Sequence, residues 1–441
     1  MTARRNAHNT PQADRPFFAS LVPLTSRPTF FYDIRSAPLN GVFLGVMTLL
    51  PWVLKDVLGG SVWEVAALSA APPVSHLFDI YYAHLCTHRR KMPFVLWPGL
   101  VARFLIVLVA ASVSATMLVV VASVSYMVGS MATPAVNSIW RTNYPGTHRY
   151  RVLGAVMSVM NLAAVVTSFG AGWLLRSFEN DWLFRVVFVV GGLAGMIGAV
   201  VFSRIRVRGE AQDLREVGDD KPRFNPLRDL GLLWRNPKFG KYQLIQFTSG
   251  FANIMTLAVL IELMKNQHAD WLAAALILGV APNLAKTLTM PFWGRLLQRF
   301  NPMQARAFFN VFWAIGYLLI AAAALADTTT GALAWVFAGR LLHGIAQGAT
   351  MLLWSLQQMY FARKQDVPKY MGIHCTLTGI RGLIAPFFGA WLMVALDSTS
   401  LVFVVSAALA LAAGIGAFRM ARRERRVTNF TGHVDGGGLE E

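Results

Sequence analysis

The sequence predicts an all-α integral membrane protein of twelve transmembrane helices arranged as two six-helix bundles. Three observations predict it. Hydrophobic residues make up 55% of the 441 and charged residues only 14%, against about 25% charged in ordinary globular chains. A soluble surface cannot be built from so few charges. Apolar stretches of roughly 20 residues, the length that crosses the hydrocarbon core, recur twelve times. The basic residues behind the net charge of +18 fall almost wholly on alternate connections between those stretches.

The elements follow in order. Residues 1–30 are a polar, basic, Pro-containing tail without the apolar core of a cleavable signal peptide. The first bundle, 31–203, carries spans at 36–56, 62–86, 93–113, 115–138, 152–175 and 182–203. Residues 204–241 are a polar linker. The second bundle, 242–419, carries spans at 242–264, 270–293, 305–326, 331–360, 370–395 and 399–419, and residues 420–441 form a second tail.

With the amino terminus cytoplasmic, one side receives Arg4, Arg5, Arg15, Arg89, Arg90, Lys91, Arg141, Arg149 and Arg151. It also receives the basic residues from Arg204 to Lys241 and the run from Arg419 to Arg426. The other side receives Lys55, Arg176, Arg185 and Lys265. This is the positive-inside pattern, which puts both termini in the cytoplasm of a cell (inner) membrane protein. The pI near 10.5 therefore reports topology, not nucleic-acid binding.

No Gly-x-x-x-x-Gly-Lys-Ser/Thr loop is present to cradle ATP phosphates, no His-Glu-x-x-His zinc helix, and no Gly-x-Ser-x-Gly nucleophile turn. An enzyme is not expected, and neither is a cofactor. The two cysteines, Cys86 and Cys375, do not make a disulfide framework or a metal site alone.

A half-length repeat runs through the chain. Leu54-Lys55-Asp56 matches Met264-Lys265-Asn266, Ala71-Pro72 matches Ala281-Pro282, and Phe169-Gly170-Ala171 matches Phe388-Gly389-Ala390, always in the same order. Six spans, a linker and six more spans form an arrangement that secondary transporters use, with a midplane site between the halves.

Short motifs add a family likeness. Gly294-Arg295-Leu296-Leu297-Gln298-Arg299 resembles the Gly-x-x-x-Asp-Arg loop of the major facilitator superfamily, with Gln298 in the acidic position. The first-half copy keeps the basic cluster Arg89-Arg90-Lys91 without the glycine or aspartate. Arg340-x-x-His343-Gly344 is similar to the family's Arg-x-x-Gln-Gly signature, and Ala385-Pro386-Phe387-Phe388-Gly389-Ala390 to its Gly-Pro-x-x-Gly-Gly signature. Family members usually carry these last two in the first half, so the proton-antiport role attached to them is not carried over. The resemblance implies two six-helix halves, with the seventh and tenth spans lining a central cavity and the eighth and eleventh gating it.

An ionised side chain at the bilayer centre costs on the order of 2.5–3.5 kcal/mol, so charges inside spans mark the places to look. Arg103, Lys286, Arg340 and Arg381 are the basic ones, and Asp79 and Glu262 the acidic ones. At 1.5 Å per residue, Arg381 lies about 18 Å beyond Lys369, near mid-membrane. Polar residues share helix faces at i, i+3, i+4 and i+7. These faces are Ser249 and Asn253; Asn283 and Lys286; Arg340, His343 and Gln347; and His374, Thr378 and Arg381. A net-positive, water-filled cavity biased to the second half is expected. Lys286 and Arg381 would bind an anionic group, with Arg340 helping; arginine suits carboxylate and phosphate because its donors are charged and forked.

Plainer readings stand beside these. Arg340 can lock a helix kink through backbone carbonyls, Arg103 can pair with Asp79 or snorkel to the interface, and Glu262 can pair with Lys265. His76 with Asp79 is either an ion pair or, with His374 and Glu262, part of a proton-coupling path. The expectation is a monomeric secondary transporter in a lipid bilayer. It moves a small anionic organic solute, coupled to protons or to exchange. The alternatives are a proton-antiport exporter of amphipathic drug-like compounds and a transporter-shaped sensor or assembly partner.

Overall fold

The computed structural model describes residues 22–87, 89–178, 182–216, 230–297, 302–361 and 367–430. Among them the regular secondary structure is helical throughout. Twelve membrane-length elements follow one another: α1 (27–57), α2 (62–87), α3 (Lys91–Val109), α4 (Ala115–Asn143), α5 (Gly146–Ser177) and α6 (Leu183–Phe202). The second set is α7 (Pro237–Asn266), α8 (271–296), α9 (302–325), α10 (Thr329–Phe361), α11 (Val367–Leu396) and α12 (Thr399–Phe430). Among the described residues, ten are long and apolar enough to qualify as spans by length and composition alone. The two others carry the polar features singled out above. Pro72 and Pro73 lie inside α2, which opens into turns at 76–78 before resuming at Asp79. Helix α10 is unbroken but diluted by Arg340, His343 and Gln347.

Local chemistry sets where helices begin. Ser61 and Glu64 form a capping box at the start of α2. Ser114 caps α4, Asn236 caps α7 and Asp270 caps α8, each accepting from a backbone N–H three residues on. Two widened, π-helical turns interrupt the ladder, at Val53–Val57 in α1 and Ala275–Val280 in α8. Such turns release carbonyls that neighbours can use.

Within the first half α1 packs on α5 and α6, and α3 on α4 and α6; within the second half α9 packs on α10 and α12, and α8 on α10. The halves meet along two seams, α2 with α11 and α5 with α8. One apolar cluster crosses between them, joining Trp52, Val53 and Leu54 of α1 to Val259, Ile261 and Met264 of α7 and to Ala275 and Ile277 of α8. Bulky residues including Phe104, Leu108, Val166, Trp173, Ile197 and Leu318 point outward. In a bilayer that outward face needs no cover, and close packing holds the helices together. At Gly172 of α5 the packing is tight enough to exclude a side chain, since a Cβ there would overlap Ala275 of α8.

Candidate functional site

The basic residues read from the sequence separate into two groups. Lys286 on α8 is half-buried and makes no hydrogen bond or ion pair among the described residues. Its electrostatic neighbour is Arg340 on α10. Arg340 donates from Nε to the carbonyl of Ile277 at 3.2 Å, within the widened turn of α8, and lies close to Tyr317. It therefore makes the backbone contact that a kink-locking arginine makes. Asn283, three residues before Lys286, spends its amide on the Gly279 carbonyl at 2.8 Å. Gln347 and Asn253 are half-buried, with no side-chain hydrogen bond among the described residues.

Arg381 belongs elsewhere. It is 6% exposed and donates from Nη1 to the carbonyl of Gln246 on α7 at 2.9 Å, and from Nη2 to Thr378 Oγ1 at 3.4 Å. Gly250 makes room for it, because a Cβ at that position would collide with the guanidinium. Its charged neighbour is Arg306 of α9, which is equally buried and hydrogen-bonds the Tyr242 hydroxyl. Two turns back on α11, His374 Nδ1 meets Gln243 Oε1 at 3.2 Å. The polar face of α11 is thus zipped to α7.

His343 packs inside the second half, its ring against those of both Trp313 and Tyr317, with Nε2 3.3 Å from the Trp313 carbonyl. Ser249 donates to Asn310 of α9 at 2.6 Å. These two contacts face α9 rather than the other half. His76 Nδ1 lies 2.7 Å from Asp79 Oδ2. Trp354 of α10 stands between His76 and His374, with ring centres 5.7 and 5.5 Å away, so the histidines of α2 and α11 approach the same indole across the halves.

Two pairings differ from the sequence reading. Glu262 pairs with Lys55 of α1 at 2.7 Å, not with Lys265, which instead pairs with Asp56. Arg176 of α5 reaches Asp270 of α8 at 3.0 Å. All three bonds tie one half to the other at the end remote from the linker. Lateral proximity on one helix suggested Glu262–Lys265, but the adjoining ends of α1 and α7 bring closer partners. Arg103 does not meet Asp79 either; it bonds Asn40 Oδ1 of α1 at 2.7 Å and the Gly99 carbonyl at 3.0 Å. An amide partner inside the bundle keeps it from the lipid.

Two buried charges were missed by the sequence reading. Arg306 sits four residues into α9, where Asn310 at i+4 continues its face. Asp33 is 2% exposed and accepts from Trp140 Nε1 at 3.0 Å and Tyr144 at 2.9 Å, tying α1 to α4. In the loop motif, Arg89 and Arg90 are exposed and Gly294 lies in the last turns of α8; Gln298 and Arg299 lie outside the described residues.

The profile of the Major Facilitator Superfamily matches residues 37–282 and 243–436. Among solved structures, the chain is similar to the nucleoside transporter NupG in an aspartate-to-alanine mutant form. That similarity has a TM-score of 0.68 at 10% identity and covers 90% of this chain and 99% of that one. No curated protein matches it in sequence.

Proposed function

Because the chain belongs to the major facilitator superfamily, we propose that this transporter is a gradient-driven carrier of a small anionic organic solute. It works by alternating access of two six-helix halves across the cytoplasmic membrane. The observation that carries the anionic part is the imbalance of buried charge among the described residues of the second half. Lys286, Arg306, Arg340 and Arg381 lie inside it, whereas Glu262, Asp270, Asp327 and Asp397 sit at the remote ends of its helices. Lys286, with no partner among the described residues, is the group most in need of an anion, and Arg340 adds charge beside it. Gln347, Asn253 and Asn283 are the polar groups proposed to orient the solute. Arg381, together with Thr378, contributes positive potential from α11. His343 and Ser249, turned toward α9, support this lining from behind.

With the basic linker cytoplasmic, the end sealed by Lys55–Glu262, Lys265–Asp56 and Arg176–Asp270 is external, and the conformation is one closed to the outside. Proton coupling falls to His76, Asp79 and His374, which approach one another around Trp354. Export of cationic drug-like compounds fits a positive interior poorly.

The test is a thermal-shift screen of purified protein against carboxylates, phosphates, neutral sugars and cationic drugs, followed by flux of the best ligand into proteoliposomes. Binding confined to anions and lost in Lys286→Gln supports the reading; binding of neutral or cationic compounds alone overturns it. A pH jump during flux reports proton coupling, and absence of any flux returns the non-transporting alternative.

A further inference from the structure

A groove of about 580 Å³ runs down the outer face of the second half between α9 and α12 and closes against the end of α8. Phe308 and Val311 of α9 and Leu411, Ile415 and Phe418 of α12 form its walls, and all five are exposed. Small residues make its floor. A Cβ added at Gly414 would stand 3.2 Å from the Asn310 Cβ and 3.5 Å from the Ala307 carbonyl oxygen. The two helices approach closely there, and the bulkier side chains on either side rise as ridges.

Polarity and charge gather at one end. Helices α9 and α12 run antiparallel, so Gln304 and Phe418 mark the end nearest the linker and Val311 and Leu411 the end nearest mid-membrane. Gln304 is the only polar side chain among the described lining residues. One turn past Phe418, Arg422 is exposed and holds its guanidinium carbon 5.4 Å from the centre of that ring, a cation–π placement. Arg419 and Arg423 beside it are exposed too, and none of the three has an ion pair among the described residues. Glu262, Asp270, Asp327 and Asp397 lie at the opposite ends of the helices.

The dimensions select the occupant. From Leu411 to Phe418 the groove follows seven residues of helix, roughly 10 Å. A partner helix needs a seat closer to the ~30 Å of the hydrocarbon core; a stretch of acyl chain does not. We infer that the groove seats one acyl chain of an anionic phospholipid in the linker-side leaflet, with the lipid phosphate at Arg422 and Arg419 and the ester region near Gln304. Forked, charged donors suit a phosphate, and exposed arginines at a bilayer surface attract anionic lipid. The lipid bridges α9 and α12 as a bound partner and not as cargo.

The purified full-length protein is titrated in detergent with dioleoylphosphatidylglycerol and, separately, with dioleoylphosphatidylcholine. Melting temperature and the lipid retained in native mass spectra are read. The anionic lipid should raise the melting temperature, by mass action on the folded state, with a midpoint about fivefold or more below that of the zwitterionic lipid. One molecule of it should stay bound. The double variant Arg419→Gln with Arg422→Gln should bring the two midpoints together, and Ala307→Phe, which fills the floor, should remove the retained lipid. Should Ala307→Phe fail to fold, Val311→Trp on the exposed wall serves instead. Equal midpoints in the wild type, an undiminished preference in the arginine variant, or lipid retained after the groove is filled overturns the inference. So does a wild-type dimer that filling the groove splits. No solute enters these measurements, so they stand or fall apart from the site at Lys286.

Discussion

Lys55 at the end of α1 and Glu262 near the end of α7 meet 2.7 Å apart across the two halves. The neighbouring pair, Lys265 with Asp56, crosses in the opposite sense. Lys55 and Lys265 occupy matching positions in the internal repeat, so a single lysine at the end of each half's first helix reaches into the other half. The same geometry that makes the repeat visible in sequence makes the closure reciprocal.

Breaking one of these bonds should loosen the closed end. A partly exposed ion pair contributes about 0.2–1 kcal/mol, so Glu262→Gln is expected to raise the population open at that end severalfold at most. Spin-label distances between the ends of α1 and α7 measure it. The charge-swapped double variant, Lys55→Glu with Glu262→Lys, should restore the wild-type distribution; failure to do so would show the pair has no part in closure.

Gly172→Leu acts on the same closure by sterics. Even a Cβ at this position overlaps Ala275, so a leucine should wedge α5 from α8. Transport should fall to background while the protein is still inserted and monodisperse. Cysteines placed at the closed end should become labelled by membrane-impermeant reagents; unchanged labelling would refute the wedge.

Lys286→Gln and Arg340→Gln should separate in their effects. The first removes a charge with no partner among the described residues. It should raise the apparent Kd for an anionic ligand at least tenfold, about 1.4 kcal/mol, with little change in melting temperature. The second also removes the hydrogen bond to the Ile277 carbonyl. A charged hydrogen bond contributes about 1.5–3 kcal/mol, so that variant should melt measurably lower. Equal melting of the two variants would count against a structural part for Arg340.

Asn40→Ala should destabilise the first half. It takes from Arg103 its 2.7 Å partner and leaves a buried guanidinium with the Gly99 carbonyl alone among its described hydrogen bonds. A loss of about 1–3 kcal/mol is expected, read from thermal unfolding in detergent. Arg103→Leu together with Asn40→Ala should recover much of it, because both polar partners are then gone.

The spans, the two halves and the residues that share each helical face were legible in the chain alone. Hydropathy is a property of one segment against lipid, and helical periodicity fixes which side chains of that segment point together. His374, Thr378 and Arg381 do share a face, as their spacing requires. What that face meets was not legible. The sequence reading turned it toward a central cavity, and the tertiary structure closes it on Gln243, Gln246 and Gly250 of α7, with Arg306 behind. In the same way Glu262 has Lys265 one turn away by sequence but Lys55 by assembly. Partners between helices depend on which helices pack and at what rotation. That is a property of pairs of segments distant in the chain, so only the folded bundle decides it.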